Sequence, residues 1–223
     1  MEPSSRLSPL QLRILETLAS LDPPFTLTGG GALAGFHLGH RVTRDLDLFW
    51  HGRRELGEVS RAAERRLQEA GLTVEHIERS PAFSRLRVAG EGEVVVLDLV
   101  AEPVPVVEAP RAIMLGKVAS ILVDTPHEIL VNKLCTLLGR SEVRDLVDVR
   151  ALVSAGGDLK RAVLDAPRKD GGFSPLTLAY VLRSFPVERL AASVGMSEPE
   201  AAALRDFRDD LVTKMTAWTR DDA

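Results

Sequence analysis

The stretch Leu27–Phe49, LTGGGALAGFHLGHRVTRDLDLF, constrains this chain more than any other. An apolar lead of Phe25 and Leu27 runs into three glycines, Gly29, Gly30 and Gly31. A helix-like segment, Ala32–Leu38, and a basic elbow of His40, Arg41 and Arg44 come next, and the stretch closes on Asp45-Leu46-Asp47-Leu48-Phe49. Side chains of a strand alternate between faces, so Asp45 and Asp47 project to one side while Leu46 and Leu48 bury on the other. Two carboxylates roughly 7 Å apart on one strand face suit hard divalent cations, which take oxygen ligands. Glycines let backbone N–H groups approach a phosphate closely, and a helix N-terminus behind them favours negative charge. A glycine turn alone is ordinarily just a turn, and an Asp-x-Asp alone is ordinarily solvated. Together they mean more, because two like charges above a buried apolar face are costly unless a cation neutralises them. A phosphate cradle beside metal-binding carboxylates is the equipment of phosphoryl or nucleotidyl transfer.

The rest of the composition narrows the class. At 223 residues the chain is long enough for one large domain or two small ones with a real core. A net charge of −4 does not mark a general nucleic-acid binder, so any RNA contact must come from a local patch. The single Cys135 excludes an internal disulfide framework, fits a reducing cytoplasm, and reads as core within an apolar helix. No apolar run is long enough to span a membrane, and MEPSSRLSPL carries no leader-like apolar segment. A cytoplasmic protein is expected.

In chain order, Ser8-Pro9 predicts a helix start and Leu10–Leu18 its apolar stripe. Strands are expected over Phe25–Thr28 and Asp45–Trp50, and a charged helix over Arg53–Ala70. A meander follows: Leu72–Glu78, Phe83–Val88 and, after the Glu91-Gly92 turn, Val94–Val100. Arg111–Val123 is apolar and β-like around Gly116-Lys117. Asp98, a lone acid in VVVLDLV, is expensive to bury without a partner. It either reaches solvent near a strand end or, if its strand lies beside Asp45–Phe49, completes a carboxylate triad. Thr125-Pro126-His127-Glu128 has the form of a capping box opening a helix with Ile129, Leu130, Leu134, Leu137 and Leu138 on one side. Ser141-Glu142 opens another, and Lys133 and Arg140 share a face. Lys133 either points into a cleft, snorkels, or pairs with Asp145 or Asp148. Beyond Asp158 the chain reads as helical, with Lys160-Arg161 and Arg168-Lys169 as solvated basic spots and Trp218 as a packing anchor.

Two blocks resemble a known family. Gly29-Gly30-Gly31-Ala32-Leu33, His37 and Gly39-His40-Arg41-x-Thr43-x-Asp45-Leu46-Asp47-Leu48-Phe49 form the first. Pro126–Leu134, Arg140 and Arg144-Asp145-Leu146-x-Asp148-Val149 form the second. Both are similar to the AbiEii-type nucleotidyltransferases, toxin components of type IV toxin–antitoxin systems. Gly31 departs from the pattern, standing where many nucleotidyltransferases carry Ser or Thr. The resemblance implies an α+β fold, a nucleotidyltransferase-like mixed sheet with flanking helices, over residues 1–123. A helical C-terminal domain over 124–223 would close the cleft. It implies Asp45, Asp47 and Asp98 as metal ligands for two Mg²⁺ ions (or Mn²⁺), with Asp98 also acting as general base. Gly29, Gly30, Gly31, Arg41 and Thr43 would bind the nucleotide. Lys133 would contact the triphosphate, and Asp148, in preference to Asp145, would position it or support a metal.

The expected reaction is transfer of a nucleoside monophosphate from an NTP to an acceptor hydroxyl, by resemblance on RNA and in particular a tRNA 3′ end, with a cognate antitoxin as partner. The alternatives are a small-molecule, aminoglycoside-type nucleotidyltransferase and a catalytically silent interaction module of the same fold. Retention of Asp45, Asp47, Asp98 and Lys133 argues against the silent module.

Overall fold

The computed structural model describes residues 6–117 and 119–221. The first five residues of MEPSSRLSPL, and Val118 within the Arg111–Val123 stretch, lie outside the described residues. The chain divides into two compact units whose sequence boundary falls between Pro126 and His127.

The first unit is a mixed sheet with flanking helices. Its strands are β1 (Thr26–Thr28), β2 (Asp45–His51), β3 (Thr73–Arg79), β4 (Phe83–Gly90), β5 (Glu93–Glu102), β6 (Arg111–Leu115) and β7 (Ala119–Val123). They lie in the order β3-β4-β5-β2-β1-β7-β6. β2 is central, parallel to β5 and antiparallel to β1, and β1 is parallel to β7. Alternation along β2 is as the sequence predicts: Leu46, Leu48 and Trp50 are buried, and the intervening residues are partly exposed. Leu46 stands opposite Leu97 and Leu48 opposite both Leu99 and Leu27, which makes one continuous apolar face. Each such fully buried leucine contributes about 1.5–3 kcal/mol relative to exposure.

Helices α1 (Pro9–Leu18) and α3 (Glu58–Glu69) pack on each other and on the sheet. α1 starts where Ser8-Pro9 predicts, with a full capping box between Ser8 and Gln11. α3 begins at Glu58 and not at Arg53, because Gly57 takes φ +56° and blocks an earlier helical start. Arg111–Val123 resolves into the β6–β7 hairpin. Trp50 is anchored by an Nε1–H bond to the Pro23 carbonyl at 2.9 Å and an edge contact with Phe25. The glycines do more than turn: Gly29–Ala32 is itself the helical segment α2, continued by a π turn over Leu33–His37.

The second unit is helical: α4 (Pro126–Gly139), α5 (Val143–Ser154), α6 (Leu159–Asp165), α7 (Pro175–Arg183), α8 (Val187–Ser193) and α9 (Glu198–Asp221). Asp158 caps α6 and Ser174 caps α7 through their side-chain oxygens. Leu204, Leu211 and Met215 of α9 recur at helical spacing and are fully buried, and α5, α7 and α8 all pack on α9. Trp218 is half-buried near its end. Among the described residues no helix is long and apolar enough to cross a membrane.

Candidate active site

The open face of β2 carries the acids. Asp45, Asp47, Phe49 and His51 point away from the leucine face, and the parallel register sets Asp98 of β5 directly opposite Asp47. Asp98 therefore joins Asp45 and Asp47 on one sheet face, where the lone acid of VVVLDLV has a neighbour-strand position. Its next neighbour on the other side is Arg85 of β4. Arg85 donates from Nε to Asp98 Oδ1 at 2.8 Å and from Nη2 to Oδ2 at 2.7 Å, a bidentate fork. The hydrogen bond to Asp98, reinforced by the charges of Asp98, Glu78 and Asp45, holds the Arg85 guanidinium even more firmly protonated than usual.

The glycines are tied to these acids one by one. Gly29 has φ +60°, and a Cβ there would stand 2.5 Å from Asp47 Oδ2, so the carboxylate lies flat against a backbone that only glycine supplies. A Cβ on Gly30 would meet Arg41 Nη2 at 2.9 Å and Thr43 Oγ1 at 3.3 Å, which places the Arg41 guanidinium and the Thr43 hydroxyl over the second glycine. At Gly31 a Cβ would point between Leu46 and Leu27, 3.1 and 3.2 Å from their methyls. A hydroxyl at position 31 would enter the core instead of reaching a phosphate, so the departure at Gly31 is a packing matter.

Thr43 braces the start of β2. Its Oγ1 donates to the Asp45 carbonyl at 3.2 Å and accepts from the Asp45 N–H at 3.3 Å. Its own carbonyl accepts from Nε2 of the buried Gln11 at 3.1 Å, which links the α1 capping box to the basic elbow.

Arg85, Asp124 and His51, which the sequence does not single out, belong to this region. Arg85 hides in the alternating FSRLRV strand, where a basic residue reads as solvent-facing. Asp124, just after β7, is fully buried; neither of its carboxylate oxygens is hydrogen-bonded, and His51 Nε2 lies 3.5 Å from Oδ1. Its position ahead of Thr125-Pro126 makes it look like part of a helix start. His37 Nε2 donates to the Asp124 carbonyl at 2.7 Å. Burial pushes the His37 imidazole below its ordinary range, with only partial opposition from that hydrogen bond.

In the helical unit, Lys133 Nζ lies 2.6 Å from Asp145 Oδ1 and 2.9 Å from Asp148 Oδ2. Burial by itself would lower the Lys133 ammonium, but the charges of Asp148 and Asp145 outweigh it and raise it. Arg140 also grips Asp145, from Nε at 2.9 Å and Nη2 at 3.3 Å. The shared face of Lys133 and Arg140 thus converges on Asp145, the acid the sequence reading ranked second. Lys169 is a correction: expected in a solvated basic spot, it is buried and paired with the fully buried Glu128. A charge buried beside an opposite charge has no sequence mark that separates it from a surface one. Cys135 is half-buried, and burial pushes its thiol up to about 12, which makes it unreactive.

Whether the acids fit a cation follows from their chemistry. Asp45 and Asp47 present oxygen donors on one face, the donor type a hard divalent ion takes. Asp98 stands beside them but both of its oxygens face Arg85, and among the described residues no group of three His, Cys, Asp or Glu is arranged to hold a metal. Asp45 and Asp47 supply oxygen donors of the type a divalent ion takes, and Asp98 adds a third carboxylate that is held by Arg85.

The profile of the nucleotidyl transferase AbiEii toxin family, type IV toxin–antitoxin system, matches residues 13–223. No curated protein matches the chain. Among solved structures, the chain is similar to MenT4, a nucleotidyltransferase toxin from Mycobacterium tuberculosis, at 18% identity and TM-score 0.63, covering 94% of this chain and 85% of that one. It is also similar to JHP933 from Helicobacter pylori, at 20% identity and TM-score 0.51, covering 95% of this chain and 94% of that one. At these identities the likeness concerns the fold, a mixed α/β sheet with flanking helices.

Proposed function

The chain belongs to the AbiEii nucleotidyltransferase toxin family, and from that premise we propose that it transfers a nucleoside monophosphate from an NTP to a hydroxyl of RNA, with a tRNA 3′ end as acceptor. Membership of a type IV toxin–antitoxin family carries nucleotidyl transfer as the general chemistry and suggests an antitoxin partner. The observation that supports the reading best is the juxtaposition of Asp47 and Asp98 across parallel β2 and β5, with Gly29 pressed against the Asp47 carboxylate.

In this reading Asp45 and Asp47 hold Mg²⁺, with Asp98 as the third carboxylate. A bound divalent ion supplies charge neutralisation for the attacking and leaving oxygens of an in-line displacement. Gly29–Gly31 bring backbone N–H groups to the phosphates at a helix start. Arg41, over Gly30, provides a planar guanidinium matched to phosphate oxygens. Thr43 fixes the backbone of Asp45, which sets the direction of that carboxylate. Asp98 accepts the proton of the attacking hydroxyl as the hydroxyl oxygen bonds the α-phosphorus, the α–β phosphoanhydride bond breaks and pyrophosphate leaves. By family resemblance Lys133 offsets triphosphate charge and Asp148 orients the lysine, with which it is paired.

Incubating the purified protein with each α-labelled NTP, Mg²⁺ and total RNA tests the proposal. Label in RNA that exonuclease removes from the 3′ end, confined to the tRNA band, is the expected result. Label confined to a cationic small molecule such as an aminoglycoside, with none in RNA, would overturn the acceptor assignment.

A further inference from the structure

One row of residues crosses the sheet in register: Glu78 of β3, Arg85 of β4, Asp98 of β5 and Asp47 of β2. Paired residues on neighbouring strands share a face, so the row presents the charge sequence minus, plus, minus, minus on the side that carries Asp45. Arg85 is the positive member and its fork spans both oxygens of Asp98. The Arg85 side chain is 42% exposed whereas that of Asp98 is 11% exposed. The guanidinium can therefore move outward into solvent while the carboxylate stays in place. It also lies over the Phe83 ring, 5.5 Å from its centroid, and Glu78 stands in register on its far side as a second carboxylate within electrostatic reach.

From this row we propose that Arg85 is a displaceable counter-charge: it holds Asp98 until a divalent cation arrives at Asp45 and Asp47, then hands the carboxylate to the cation and swings to Glu78. The inference rests on the nucleotidyl-transfer reading of the same acids. Its physical content is competition. A bidentate guanidinium and a hard cation cannot both satisfy the same two oxygens, so each weakens the hold of the other. Asp98 stays neutralised in the resting protein, and three carboxylates do not repel one another before the ion binds. Arg85 is a positioning residue here, acting through Asp98.

Calorimetric binding of Mn²⁺ to the full chain, without nucleotide, tests the handover. Arg85→Gln is expected to bind Mn²⁺ about tenfold more tightly than wild type, the factor matching loss of one charge-assisted pair. Arg85→Lys, which keeps a charge but loses the fork, should fall between the two and guards against a folding defect, read by circular dichroism. Adding Asp98→Asn to Arg85→Gln should erase the gain, and Glu78→Gln alone should weaken binding a fewfold. If Arg85→Gln and Arg85→Lys bind Mn²⁺ as wild type does while Asp47→Asn binds it poorly, the handover is overturned and the transferase site stands. If Asp45→Asn and Asp47→Asn leave Mn²⁺ binding untouched, the cation site itself is wrong and the handover falls with it.

Discussion

Replacing Lys133 by methionine opens a buried ion cluster from its positive side. Its Nζ lies 2.6 Å from Asp145 and 2.9 Å from Asp148, and the three side chains are 11%, 1% and 0% exposed. Breaking a buried pair by removing one partner costs about 3–5 kcal/mol, because the remaining charge stays desolvated. Asp145 keeps its fork from Arg140, so its charge stays paired. That places the effect at the lower end, about 3 kcal/mol. With a urea dependence of about 1.5 kcal/mol/M for a unit of this size, the unfolding midpoint of the helical unit falls by about 2 M. The assay is urea unfolding followed by circular dichroism at 222 nm. Lys133→Met/Asp148→Leu removes both charges and fills the space with apolar atoms, and should return to within about 1 kcal/mol of wild type. A single variant that unfolds at the wild-type midpoint, or a double variant no better than the single, would refute the argument that this cluster stabilises the unit through charge.

Other perturbations read different parts of the structure. Gly29→Ala forces a side chain onto φ +60° and 2.5 Å from Asp47 Oδ2; it should cost about 1–2 kcal/mol in thermal unfolding and abolish nucleotide incorporation. His37 prefers its neutral form in the folded chain, with its folded pKa below 6.5, so its contribution to stability is present above that pH and is lost as pH falls through the lowered value. His37→Gln should accordingly flatten the decline of the unfolding midpoint below pH 6.5, and an unchanged slope would assign the acid sensitivity elsewhere. Trp50→Phe leaves the Pro23 carbonyl without its indole donor and should lower stability by about 1–2 kcal/mol in denaturant unfolding.

What was legible in the sequence follows from how local each signal is. The alternation DLDLF needs only the strand period, and β2 carries it residue for residue. Ser8-Pro9 marks α1 because caps are set by neighbours in sequence. Position 57 shows the limit: the charged apolar stripe suggests an earlier start to α3, but one glycine conformation decides it. Non-local partners were harder. The register that sets Asp98 beside Asp47 was open in the sequence, since an acid in an apolar strand can equally end at solvent. Arg85, Asp124 and Lys169 gave no local signal at all. Each owes its meaning to a partner far along the chain: Asp98, His51 and Glu128. Gly31 is instructive in the other direction, because the motif suggests a missing phosphate contact whereas the space between Leu27 and Leu46 explains the glycine by packing.

The account rests on the β2 carboxylates being the seat of nucleotidyl transfer, and the initial rate of NMP incorporation by Asp47→Asn against wild type tests it most directly. Metal-held charge stabilisation is worth several kcal/mol, so the rate should fall about a thousandfold. The variant should melt at or above the wild-type temperature, because repulsion between neighbouring acids is relieved. Incorporation by Asp47→Asn at the wild-type rate would contradict the account.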